Sequence, residues 1–143
     1  MRYSLSVIGF ALVLGCTTTT APDRVRQLGE IAGFNNGDPY VTIEQDGRRV
    51  DVSITTYGDG CHTQGETEVV MNGLGAEVTP YDYSAARGSF CTRELRSSVH
   101  RASLNFERSG MAQIRIRGID ASTRSSTNLI GDTLVVVRTV ELF

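Results

Sequence analysis

The sequence predicts an all-β fold, an antiparallel β-sandwich of about seven strands, with a small β-barrel as the alternative closure. Three observations carry this. From Ile31 onward apolar residues recur with a period of two rather than 3.6. Gly, Asn and Asp clusters (NNGDP, QDG, YGDG, NGLG, ERSG and IGD) punctuate the alternating runs. No stretch beyond roughly ten residues carries helical spacing. Short half-buried strands, each with one wet face, satisfy all three.

The chain begins differently. Arg2 precedes a mostly apolar run over residues 5–14, followed by Gly15 and Cys16. A charged start, an apolar stretch and a small-residue cleavage point make up a secretory signal. The run is about half the 20 residues that a bilayer-spanning helix needs. Val13-Leu14-Gly15-Cys16 resembles the lipobox of bacterial lipoproteins. That resemblance implies cleavage after residue 15 and acylation of Cys16, palmitate among its chains, so that the protein meets the membrane through an N-terminal lipid in the cell envelope. Thr17, a residue other than Asp, implies the outer membrane in a cell that has two.

The expected organisation is a signal peptide over 1–15, a lipid-anchored flexible tether over 16–30 and one β-sandwich domain over 31–143. Residues 17–30 (TTTTAPDRVRQLGE) hold a Thr run, a Pro and several charges with little apolar periodicity. In the domain, strands are expected at 40–44, 49–56, 66–72, 76–83, 101–106, 111–118 and 134–137. Residues 49–56 set Val50, Val52 and Ile54 on one face against Asp51, Ser53 and Thr55 on the other. Residues 101–106 repeat the pattern with Ala102, Leu104 and Phe106, and 111–118 with Ala112, Ile114 and Ile116. The run 134–137 is apolar on both faces and suits a central, doubly covered strand. Residues 121–128 (ASTRSSTN) read as a mobile loop.

Two connections fit the stretch between Phe106 and Ala112. A hairpin closed by Arg108-Ser109-Gly110 opposes Phe106 to Ala112 and Leu104 to Ile114, so that the apolar faces coincide. A crossover between two sheets is the competing path. Gly110-Met111-Ala112-Gln113-Ile114-Arg115-Ile116-Arg117-Gly118, followed by a last strand within 132–140, resembles immunoglobulin-like domains of bacterial envelope proteins. This implies an immunoglobulin-like sandwich. Cys61 and Cys91 depart from the antibody pattern, because they fall in loops, and the chain has no Trp.

Composition narrows the functions. The 14 basic residues are all Arg, so lysine Schiff-base chemistry is excluded. Loss of residues 1–15 removes Arg2 alone, leaving 13 basic residues against 16 acidic ones, a balance unsuited to nucleic acid. With Cys16 assigned to the lipid, Cys61 and Cys91 remain as an even pair. In an exported chain a disulfide is the default for such a pair.

The densest polar cluster is Gly58-Asp59-Gly60-Cys61-His62-Thr63-Gln64-Gly65-Glu66. His62, Glu66 and His100 with two thiolates could compose a tetrahedral metal site, but their spacing is not that of zinc motifs and a disulfide removes the thiolates. No metal and no cofactor is therefore expected. No G-x-S-x-G elbow accompanies the two His, and no catalytic residue is expected. Tyr81 and Tyr83, with His62 and Glu66, form the candidate binding surface, because Tyr supplies rigid amphipathic area. Arg115 and Arg117, with Arg101, offer a second, anion-seeking face. The reading is a non-catalytic envelope lipoprotein, a binding or structural module for an envelope protein or glycan. An inhibitor of a secreted hydrolase, presenting the 58–66 loop, and a small metal- or His-dependent enzyme are the alternatives.

Overall fold

The computed structural model describes residues 23–32, 40–86 and 88–143. The expected signal peptide, Cys16 and the start of the expected tether lie outside the described residues. Within them the chain forms nine strands: β1 (Arg24–Leu28), β2 (Glu30–Ala32), β3 (Val41–Asp46), β4 (Arg49–Gly58), β5 (Thr63–Asn72), β6 (Gly75–Ala85), β7 (Arg96–Asn105), β8 (Gly110–Asp120) and β9 (Asp132–Leu142). One 3-10 turn, Ala121–Thr123, follows β8. The fold is all-β, an open mixed sheet folded into a sandwich and not a closed barrel.

One layer is β5-β6-β8-β9, with β1 continuing the β8 side of β6. The other is β3-β4-β7. The segment β1–β2 crosses between them: β1 pairs with β6, whereas β2 bridges β8 and β4. Gly29 makes the switch, donating its N–H to the Pro80 carbonyl at 2.9 Å and accepting from the Ile119 N–H at 2.9 Å. Pro80 stands in an inner strand, where a missing N–H normally breaks a ladder. Here it falls where β6 hands over from β8 to β1 and beside the register shift in β5.

All seven expected strands are present. Two expectations change and one open choice is decided. Arg24–Leu28 is already strand, so the domain begins before the expected boundary at Ile31 and residues 24–28 belong to the sheet rather than to a tether. Short polar strands with few apolar residues carry no period-two signal, and β1 is held by pairing with β6 rather than by burial. β9 is an outer strand paired with β8 alone, and Val135 and Val137 are exposed, so the run 134–137 is not doubly covered. β7 pairs with β4 while β8 pairs with β9, so the 106–110 connection is the crossover. Pairing is antiparallel except for β6–β8 and β2–β8, which are parallel.

The core fills from both layers. Val50, Val52 and Ile54 of β4, and Ala102 and Leu104 of β7, meet Ala76 and Val78 of β6 and Ala112, Ile114 and Ile116 of β8. Two connections at one end are two-residue hairpins, Gly47–Arg48 and Gly73–Leu74. Each puts glycine at its first central position with φ of 58° and 60°, as a II′ turn requires. At the opposite end lie the longer loops 59–62, 86–95 and 121–131, together with the start of β1. The two ends are called the turn end and the loop end.

Candidate functional site

The inward phase of the strands does not stop where their apolar residues stop. In β4 the series Val50, Val52, Ile54 continues to Thr56. In β6, Ala76 and Val78 lead to Pro80 and Asp82, and in β7, Leu104 and Ala102 lead back to His100. Thr56, Asp82 and His100 are all fully buried. The core therefore turns polar toward the loop end.

The 59–62 loop delivers a second imidazole. The Asp59 carboxylate accepts the Cys61 N–H at 2.9 Å, its carbonyl accepts the His62 N–H at 3.0 Å, and Gly60 donates to the Thr92 carbonyl. This Asx-type turn sends His62 inward. Its ring lies flat against Gly58, where any Cβ would stand 2.3 Å from the imidazole, so only glycine admits it. A Cys61–Cys91 disulfide ties this loop to the 86–95 loop.

Asp82 then sits between two histidines. Its Oδ1 lies 3.0 Å from His100 Nε2, and Oδ2 lies 3.5 Å from His62 Nε2. His100 Nδ1 is 3.1 Å from the Thr67 hydroxyl. Glu30 joins from β2, its carboxylate paired with Arg124 from the 121–131 loop, and burial holds that guanidinium below its usual pKa. Both ring nitrogens of His62, Asp82 Oδ2, Glu30 Oε2 and Thr56 Oγ1 are buried without hydrogen-bond partners among the described residues. An unpaired buried polar atom costs about 1–3 kcal/mol, and such costs concentrate where a fold serves something besides stability.

Over this cluster the loops enclose a cleft of about 480 Å³. His62 and Glu30 line it, with Gln27, Ser84, Arg93, Leu95 and Arg124. A second depression, of about 400 Å³, lies at the turn end among Met71, Gly73, Asn105, Glu107 and Arg108, and no buried ionisable group lines it.

The expected site residues divide. His62 reaches the cleft. Tyr81, Tyr83 and Glu66 lie on the outer face, where they satisfy one another. Arg26 covers the Tyr81 ring at 3.3 Å and pairs with Glu66, whose other oxygen accepts the Tyr83 hydroxyl at 3.0 Å. Its own backbone amide first, then Arg26, hold the Glu66 carboxyl below the usual range, while the bond to Glu66 raises the Tyr83 hydroxyl. Arg115 and Arg117 share the outer face of β8, whereas Arg101 belongs to β7 in the other layer. Asp59 adjoins the two half-cystine sulfurs, but an oxidised pair offers no thiolate to a metal, and Glu66 faces away from His100. Residues 121–128 are tied down internally: Asp120 caps the 3-10 turn, and the Asn128 side chain bonds Asp132 and the Gly131 N–H.

Glu30, Thr56, Asp82 and Arg124 were not among the expected site residues. For Thr56 and Asp82 the strand phase was a usable signal. For Glu30 and Arg124, which meet across 94 positions of sequence, none existed.

Set against known protein families, curated proteins and solved structures, the chain matches none. Fold and site together define its class: a disulfide-containing β-sandwich domain with one polar, cleft-bearing end.

Proposed function

We propose that this is a non-catalytic envelope lipoprotein whose loop-end cleft binds a ligand. One observation carries the reading: three loops, two of them joined by the Cys61–Cys91 bond, wall a cleft over buried polar groups that, among the described residues, lack partners at that end alone. The composition of the wall, two guanidiniums and three carboxylates beside Leu95, suits a polar ligand with an apolar part.

The chain Thr67–His100–Asp82 has the connectivity of a nucleophile, base and carboxylate. His100 is fully buried, and neither it nor Thr67 lines the cleft, which favours the binding reading over the catalytic one. The inhibitor reading needs a protruding 58–66 loop. Instead His62 is drawn inward and residues from Thr63 onward are strand.

Two measurements test the proposal. A Cys16→Ser chain should lose acyl labelling and leave the membrane fraction; retention there contradicts the anchor. Hydrogen exchange of the native chain in envelope membranes, compared with detergent, should slow at 58–62 and 88–95. Equal exchange in both contradicts ligand binding at the cleft.

A further inference from the structure

Large apolar side chains at the two ends are treated differently. At the turn end Phe106 is buried and Leu74 half-buried against the core. In the loops of the other end they point outward: Phe90 is 105% exposed, Leu129 73%, Ile130 68% and Leu95 54%. Single exposed apolar residues are ordinary, but four of them stand on two loops that wall one cleft, a concentration that asks for an occupant. At the turn end the comparable exposures among the described residues are Phe143 at the chain terminus (79%) and, on strands rather than in loops, Met111 (60%) and Val70 (57%). Arg93, exposed between Phe90 and Leu95, has no ion pair among the described residues.

The position of the N-terminal strand says what the occupant is. The Asp23 carbonyl accepts the Ala86 N–H at 3.0 Å, so the chain enters the domain beside the loop that bears Phe90. Only residues 17–22 separate Cys16 from Asp23, and the seven Cα steps between them span at most about 25 Å. The 11 residues of β6 alone extend about 35 Å from one end of the sandwich to the other. A lipid at Cys16 therefore holds the loop end against the bilayer, and its leash is too short to let the turn end take that place.

We infer that the loop end docks on the lipid surface, with Phe90, Leu129 and Ile130 entering the head-group boundary and Arg93 beside lipid phosphates. This rests on the anchored reading for its geometry. The cleft then opens at the head-group plane, and its ligand is one presented there.

The chain has no Trp, so single substitutions supply silent-background reporters. Phe90→Trp and Leu129→Trp report on the loop end, Phe143→Trp on the turn end, each at an already exposed position. The acylated chains are placed in vesicles of brominated phosphatidylcholine and phosphatidylglycerol. Fluorescence should fall about twofold for the two loop-end chains, whose rings would lie within the outer 5–10 Å or so of the bilayer, and stay unchanged for Phe143→Trp. No quenching at either loop-end position overturns the inference, as when a protein partner covers the patch, and so does equal quenching at all three. If mass analysis finds no acyl group on Cys16, the anchored reading alone fails. The same chains added to vesicles from solution then decide the docking: quenching at positions 90 and 129 upholds it, and its absence sinks it.

Discussion

The two ends of the sandwich are built from the same strands and do opposite things with them. At the turn end, hairpins of two residues close β3–β4 and β5–β6, and the inward positions are Val50, Leu104, Ala76 and Ile114, all dry and close-packed. At the loop end the same inward phase carries Thr56, Asp82 and His100, the connections are long, and a disulfide stands in where packing is missing. The difference teaches that one sequence period can carry a dry core in one half and buried polar atoms without partners in the other.

Substitutions can break that contrast, and the largest effect is expected in the dry half. Ile114→Ala should cost about 2–5 kcal/mol through lost burial and a residual cavity, read from denaturant unfolding, with both halves melting together. A Cys61→Ser/Cys91→Ser chain loses the closure of a 30-residue separation, worth about 3–4 kcal/mol in the chain-entropy model. Its exchange should quicken first at 58–62 and 88–95. Asp82→Ala leaves two imidazoles without their shared carboxylate and should cost about 1–3 kcal/mol; Asp82→Asn, which keeps the shape and one acceptor, should cost less.

The smallest effect belongs to the surface and depends on pH. The Ser103 hydroxyl, then Arg49, hold the Asp51 carboxyl below the usual range. A depressed carboxylate contributes stability above the unfolded-state pKa, about 3.9, and loses it as pH falls through the lower folded value. Asp51→Asn should lower stability slightly at neutral pH, leave it unchanged well below the folded value, and so flatten the acid limb between the two. An unaltered acid limb would contradict the assignment.

Much of the dry half was legible in the sequence. The alternation in 49–56, 101–106 and 111–118 named Val50, Val52, Ile54, Ala102, Leu104, Ala112 and Ile114, all of them buried. Pairing was less legible, because both connections after Phe106 satisfied the same alternation and only the partner strand β4 distinguishes them. Residues 134–137 misled for a related reason: Val135 and Val137 are apolar yet sit on an outer face, where nothing in a single strand's pattern marks it as an edge. The polar half was read by composition, so the conspicuous Tyr81 and Tyr83 stood out although Arg26 and Glu66 already occupy them. His62 was found because it stood in a dense polar run. Asp82 and Thr56 carry no apolar signal of their own, and only an extension of the strand period beyond its apolar members places them inside.

The central claim is that the loop end is the working end. The most direct measurement places a photo-crosslinking residue at Leu95 in the cleft wall and, separately, at Arg48 in a turn-end hairpin, each in the full chain in its native envelope. The account predicts a discrete adduct from the Leu95 position and none from Arg48. Adducts of equal yield from both positions, or from Arg48 alone, would contradict it.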